Sequence, residues 1–481
     1  MKRKFISNLL LLLFLNGLVK PFWIFGIDRT VQNTLGADEY GLYFSLFGFS
    51  MLLNILLDAG ITNYNNRSIS RDPEKISEYF SLFVPIKFIL GVVYALATLI
   101  IAWIIGYSKV QFHILGFLII NQFLAAMILY LRSNITGLHR FKTDSILSVL
   151  DRLLMILLIG LALWSKLFPF KLNIYWFVYL QTAAYLATAL VAFILVRTNT
   201  VWFRPVFSWS RTLDIFRETF PFALLTLLSA LYYRVDSVMI ERMLPDGKVQ
   251  AGIYAQAFRI LDAFTMYGYL FGVILLPLFS RMIKERKKVG ELVRLAFLLL
   301  MMPVVSLSII SIILNKPVME LLYHAHTEDS SRIFAVLMGA FVFVSWVYLF
   351  GVLLIAYGDM KSLNRIAGAG FLVNVVLNAF LIPRYGAIGS AWASLVTTAG
   401  VTLLQVWLVH KRFRLSFAEL IPGKILLFIV LLTGTGIGCK IFMPDFGVTF
   451  IILTATAILL GLIFRLLPFR QMLSILASNE E

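Results

Sequence analysis

Long apolar runs separated by short hydrophilic breaks recur from one end of the chain to the other. One helical crossing of a bilayer takes about 20 apolar residues. The pattern therefore predicts membrane-spanning helices near 5–27, 42–62, 80–105, 112–131, 145–165, 174–196, 218–240, 252–280, 292–314, 333–356, 363–383, 387–409, 425–439 and 448–464. This is an all-α, polytopic membrane protein with fourteen predicted transmembrane helices. The first run follows Met-Lys-Arg-Lys4 and imitates a signal peptide. No small-x-small cleavage site follows, and the apolar stretch continues past Lys20 to Phe25, so it is expected to remain as an uncleaved first helix.

Composition agrees with the pattern. Hydrophobic residues make up 60% of the 481 positions and charged ones only 14%, with a mean hydropathy of +0.88. A soluble globule of this size needs more polar surface. The net charge of +17 would point to nucleic acid in a soluble protein, but here the basic residues are spread over many short loops. If the N-terminus is cytoplasmic, 27 of the 42 Lys and Arg fall in inner segments and 10 in outer ones. Cytoplasmic loops are enriched in these residues, so both termini are expected in the cytoplasm. Cys439 stands alone, which excludes an intrachain disulfide framework, and five histidines offer no zinc-type cluster. The longest breaks, Arg197–Thr219 and Asn315–Arg332, are too short to hold a domain with its own core. Function is expected among the helices.

The chain also repeats. Asp28 … Leu-Gly-Ala-Asp-Glu-Tyr-Gly41-Leu-Tyr43 … Ser70-Arg71 returns as Asp236 … Gln-Ala-Gly252-Ile-Tyr254 … Ser280-Arg281. Six predicted helices separate the copies, an even number, so both halves enter the membrane with the same polarity and relate by an axis along its normal. The expected organisation is an N-terminal lobe 1–196, a C-terminal lobe 197–410 in pseudo-two-fold relation to it, and two extra helices with a tail in 411–481.

Five cations, Lys20, Lys87, Arg152, Arg234 and Arg259, sit inside the apolar stretches, as do four carboxylates, Asp58, Asp151, Asp236 and Asp262. Charges at that depth are costly and mark a polar path or a set of ion pairs. Two readings stand for them. The cations form a ladder that suits an anionic substrate, Arg in particular suiting phosphate oxygens, or the charges neutralise one another, as the i, i+3 pair Arg259 and Asp262 invites. The carboxylates are candidates for binding a coupling cation, proton or Na⁺, or for charge pairing. On the second predicted helix Asn54, Asp58 and Thr62 recur at i, i+4, i+8 and share one face. Asn374 and Asn378, flanked by small residues before Gly386, read as packing between helices. No Walker loop, sugar-nucleotide DxD signature or Ser/His/Asp arrangement is present.

The segment Leu35-Gly-Ala-Asp-Glu-Tyr-Gly41-Leu-Tyr43 with Asp58-Ala-Gly60 and Ile69-Ser-Arg71 resembles the N-terminal signature of polysaccharide-biosynthesis flippases in the multidrug/oligosaccharidyl-lipid/polysaccharide exporter superfamily. Gly358 … Asn378 … Ile-Pro-Arg-Tyr-Gly386-Ala-Ile-Gly389-Ser-Ala391 is similar to that family's C-terminal module. The resemblance implies a non-enzymatic flippase in the bacterial cytoplasmic membrane. Such a protein carries an undecaprenyl-diphosphate-linked oligosaccharide, of O-antigen, lipopolysaccharide or capsule type, from the inner to the outer leaflet by alternating access. Lys20, Lys87, Arg152, Arg234 and Arg259 would then hold the diphosphate and acidic sugars. Its implied partners are the lipid-linked oligosaccharide, membrane lipids and polysaccharide polymerase machinery, with no nucleic acid, metal or organic cofactor. A cation-coupled drug exporter shares the fold, and a membrane glycosyltransferase or polymerase would need a large outer loop with catalytic acids, which the chain lacks.

Overall fold

The computed structural model describes residues 15–165, 171–198, 200, 209–416, 423–442, 445–464 and 466; the signal-like start, Lys166, part of the 197–219 break and the C-terminal tail lie outside them. Every regular element among the described residues is helical. Among the described residues twelve helices are long and apolar enough to cross a membrane, and a bent pair, Leu15–Leu52 with Asn54–Arg71, supplies a thirteenth if it counts as one span. Within that pair the helix Arg29–Leu52 (α1) is interrupted at Gly36, whose φ of 77° and ψ of 173° suit glycine alone. The described part of the first predicted span, from Leu15, and the second span thus lie in one bent pair, with Gly36 between them. The chain is an integral membrane protein.

After α1 come α2 (Ile61–Arg71), α3 (Ile76–Ile105), α4 (Lys109–Gly137), α5 (Phe141–Trp164), α6 (Ile174–Arg197), α7 (Trp209–Met243) and α8 (Gly247–Lys284). Then follow α9 (Gly290–Ile313), the short α10 (Asn315–Leu322), α11 (Thr327–Trp346), α12 (Val352–Tyr357), α13 (Met360–Tyr385), α14 (Ala387–Phe413), α15 (Lys424–Phe442) and α16 (Phe446–Ile463). Side chains satisfy several helix starts: Ser108 and Gln111 form a capping box on α4, Asn173 caps α6 and Asp445 caps α16. Such caps supply partners for the first amide donors, which have none within the helix. Large apolar side chains point outward, among them Trp103 at 74% exposure and Phe442 at 82%. In water such a surface would aggregate; against lipid it is ordinary contact area.

The chain divides into two compact units, Met1–Ala255 and Gln256–Glu481. The core of the first gathers Phe80, Phe83, Tyr130, Leu131, Leu147, Ala192 and Val196 from four helices. In the second, Phe297, Trp346 and Phe350 pack edge to face or tilted at 5.4–6.0 Å around a π-helical turn, Val347–Gly351, that joins α11 to α12.

Inside the first unit the repeat seen in the sequence shows as a reciprocal contact. A Cβ on Gly41 would strike the carbonyl of Lys248 and the amide of Gly252, and one on Gly252 would strike the carbonyl of Ala37. Each glycine meets the carbonyl four residues before the other. Contacts of i to j and j to i are the mark of a local two-fold relation, and they require glycine on both sides.

Candidate functional site

The predicted continuous helix over 42–62 is broken. Leu52 ends α1, a 3-10 turn covers Asn54–Leu57, and α2 starts only at Ile61, with the two pieces bent by 54°. Between them Asp58, Ala59 and Gly60 leave helical geometry, Ala59 with φ 44° and Gly60 with φ 89°. The left-handed conformation of Ala59 costs roughly 1–2 kcal/mol. Neighbouring helices hold the segment: Thr219 of α7 donates to the Ala59 carbonyl at 2.6 Å, and Lys87 of α3 donates to the Leu57 carbonyl at 3.1 Å. Gly60 is also needed for space, since a Cβ there would lie 2.5 Å from Thr219 Cβ.

Asp58 organises the break. Its carboxylate accepts from the amides of Gly60 at 3.2 Å and Thr62 at 3.3 Å, so it sits over the positive N-terminal end of α2. It also accepts from the Thr62 hydroxyl and forms an ion pair with Lys87. Lys87 is 2% exposed, two residues after Pro85 inside α3, with its ammonium 5.7 Å from the Tyr130 ring centre. A buried cation of this kind persists only with such partners.

The open side of Asp58 faces a cavity of about 510 Å³ inside the first unit, lined also by Asn54, Thr62, Asn63 and Thr226 and walled by Leu129 and Phe222. Asp58 is its one ionisable lining residue among the described residues. Asn54, Asp58 and Thr62 therefore do share a site, as their spacing predicts, but a broken span brings them there rather than one continuous helical face. Non-helical backbone at membrane depth is tolerated where protein buries it or a polar cavity adjoins it. Polar contacts continue from the break: Asn54 donates to Gln122 at 3.3 Å, Gln122 to Ser50 at 3.3 Å, and Tyr94 to the Ser50 carbonyl at 2.6 Å.

The other predicted residues fall in separate groups. Arg152 on α5 is flanked by Asp151 at 3.7 Å and lies over the rings of Trp23 and Tyr185 at 5.5 and 5.9 Å. Lys20, on the helical stretch before α1, feels the charges of Arg152, Asp151 and Arg132, and Asn16 on the same stretch donates to Ser148 of α5 at 2.9 Å. Arg234 on α7 stacks over Tyr233 at 5.4 Å. Asp236, 1% exposed, accepts from Tyr254 at 3.0 Å. In the second unit Arg259 and Asp262 form their i, i+3 pair at 3.8 Å. Asn374 and Asn378 are both buried, and Asn378 bonds back to Asn374 at 3.0 Å along α13.

Two polar features lie where the sequence pattern indicates loops. Asp28, expected just beyond the first span, is 1% exposed in a π-helical turn, Trp23–Asp28, and accepts from Tyr40 at 2.9 Å and Gln32 at 3.2 Å. Arg132, expected in an inner loop, is inside α4 and grips Asp144 of α5 with two bonds of 2.7 and 3.1 Å. The repeat Asp28/Asp236, each followed by a buried tyrosine partner, is the sequence signal that could have found the first.

A sequence model described as polysaccharide biosynthesis protein matches residues 11–283, more than half of the chain. The chain belongs to this family. It is 23% identical over 401 residues to an uncharacterized membrane protein of Methanocaldococcus jannaschii, covering 78% of this chain and 91% of the relative. Its fold is similar to the lipid II flippase MurJ in an inward closed conformation, with a TM-score of 0.73 at 16% identity over 96% of this chain and 100% of that one. It is also similar to an inward-facing multidrug resistance MATE family transporter of the MOP superfamily, with a TM-score of 0.63 at 14% identity over 83% and 94% of the two chains. At these identities the likeness establishes a shared fold. The broken span with Asp58 lies inside the stretch that the family model matches.

Proposed function

We propose that this polysaccharide biosynthesis protein moves an undecaprenyl-diphosphate-linked oligosaccharide from the inner to the outer leaflet of a bacterial cytoplasmic membrane, by alternating access and without bond chemistry. The observation that carries the reading is the broken, cavity-lining span around Asp58 in a chain of this family. A lipid II flippase of the same fold adds support for a lipid-linked cargo. In this proposal the glycan and diphosphate head travels through polar interior while the polyprenyl tail stays in lipid. Arg152, Arg234, Arg259 and Lys20 contact the diphosphate and acidic sugars, and Arg supplies the planar fork that phosphate oxygens accept bidentately. Lys87, closed in by Leu57 and Asp58, acts through Asp58 by holding the break in shape.

A second reading, cation-coupled export of a drug by the same fold, draws on the buried carboxylates Asp28 and Asp236. Accumulation of the lipid-linked glycan separates the two. Cells carrying Arg234→Ala or Arg259→Ala in place of the wild-type protein should retain the glycan on the cytoplasmic side at normal protein abundance. Each lost charge-assisted contact, about 1.5–3 kcal/mol, lowers export at least about tenfold. If Arg259→Ala with Asp262→Ala exports at the wild-type rate, that pair belongs to the scaffold. Normal glycan export by Arg152→Ala, Arg234→Ala and Arg259→Ala together, with loss of cation-driven dye efflux, would favour the drug exporter.

A further inference from the structure

The second unit holds a cavity of about 900 Å³ where α8, α12 and α14 end and α9 begins. Among the described residues its walls carry Arg286, Lys288, Arg294, Arg412 and Arg414 against one carboxylate, Glu291. A further lining cation, Lys287, is matched by Glu285 at 2.8 Å. Arg281 and Lys287 together hold the Glu285 carboxyl at about 2, so that match persists at neutral pH. Arg412 is likewise engaged with Asp359, its Nε at 2.9 Å and its Nη2 at 2.8 Å from one carboxylate oxygen. Arg286, Lys288, Arg294 and Arg414 have no ion-pair partner among the described residues.

Topology and helix dipoles explain only part of this. Loop cations follow the inside-positive bias, and Arg286 and Arg414 stand just past the C-terminal ends of α8 and α14, in left-handed conformation (φ 54° and 52°), where a cation offsets the dipole. Lys288 and Arg294 have the opposite placement. They flank the N-terminal end of α9, which repels cations. Val289 gives that end no side-chain cap, and Val289, Gly290 and Glu291 line the cavity themselves. Uncapped amide donors, a positive dipole end and four cations with no ion-pair partner among the described residues converge on one concave volume, and an anion is the group that would satisfy all three.

We infer that this cavity is a binding site for a phosphate-bearing anion, separate from the Asp58 cavity of the first unit. Backbone amides at the start of α9 would take phosphate oxygens, with Lys288 and Arg294 beside them and Arg286 and Arg414 opposite. Tyr357 and Phe413, paired edge to face at 5.2 Å, add an aromatic rim suited to a membrane interface. The source of the phosphate is either a lipid headgroup or a soluble compound.

Purified full-length protein and the triple variant Arg286→Gln/Arg294→Gln/Arg414→Gln would be compared with two probes, inorganic pyrophosphate by calorimetry and phosphatidylglycerol against phosphatidylcholine by native mass spectrometry. At about fivefold per basic residue, the triple variant should lose roughly a hundredfold in affinity for whichever probe binds. The Arg→Lys triple variant should keep most of it, and Arg67→Gln/Arg71→Gln, outside the cavity, should change nothing. Loss confined to phosphatidylglycerol identifies a lipid headgroup; loss of pyrophosphate binding identifies a soluble source. If wild type and the Gln triple variant bind both probes equally, or neither binds wild type, the inference is wrong. Thermal melting of all variants excludes unfolding as the cause.

Discussion

Asp58 is where single-residue chemistry and the fold meet. It caps α2, pairs with Lys87 and faces a cavity, three demands on one carboxylate. Removing one member of a buried pair costs about 3–5 kcal/mol because the partner is left unmatched. Asp58 keeps 30% exposure, so Lys87→Met should fall near the lower end, about 3 kcal/mol. Lys87→Met with Asp58→Asn should recover most of that stability in detergent melts while still lowering export. A stable Lys87→Met single variant that loses export would instead make Lys87 a direct substrate contact. The sequence marks Asp58, Lys87 and Thr62 through their polarity in apolar surroundings. It hides the left-handed turn at Ala59, because alanine is a strong helix former and only the tertiary partners Thr219 and Lys87 hold it there. Asp28 and Arg132 are missed for the converse reason: the polar positions around them read as loop, yet their helices continue, burying Asp28 and half-burying Arg132 against protein.

Among the elements, most spans follow directly from the apolar runs. The predicted 174–196, 292–314 and 387–409 correspond to α6, α9 and α14, displaced by a few residues at their ends. The short break between the predicted spans 363–383 and 387–409 is a single-residue joint between α13 and α14, with Gly386 at φ 67°. Apolar periodicity carries no information on kinks, which is why the bend at 53–60 and the π-helical turns at Trp23–Asp28 and Val347–Gly351 are not legible in it. Glycines show the same contrast. Gly41→Ala forces a methyl group into the backbone of α8 and should destabilise the protein by about 1–3 kcal/mol. Gly400→Ala on α14 meets nothing within 4 Å and should be neutral or gain up to about 1 kcal/mol from helix propensity. Comparing the two melting temperatures checks the first claim; equal values would mean that α1 and α8 are not in backbone contact.

For the whole molecule, the match of residues 11–283 shows the polysaccharide biosynthesis family, and the likeness to a flippase and a transporter shows the fold. We propose in addition that 1–196 and 197–410 are the two repeated lobes, a division supported by the reciprocal Gly41 and Gly252 contacts. The central claim is movement of a lipid-linked glycan between leaflets, and proteoliposomes measure it directly. Purified protein would be reconstituted with a fluorescent undecaprenyl-diphosphate oligosaccharide, and an impermeant quencher would follow exchange of the inner pool. Exchange should run well above that of protein-free vesicles and fall at least about tenfold with Arg259→Ala. Exchange no faster than in protein-free vesicles, with wild-type protein folded and inserted, would contradict the central claim.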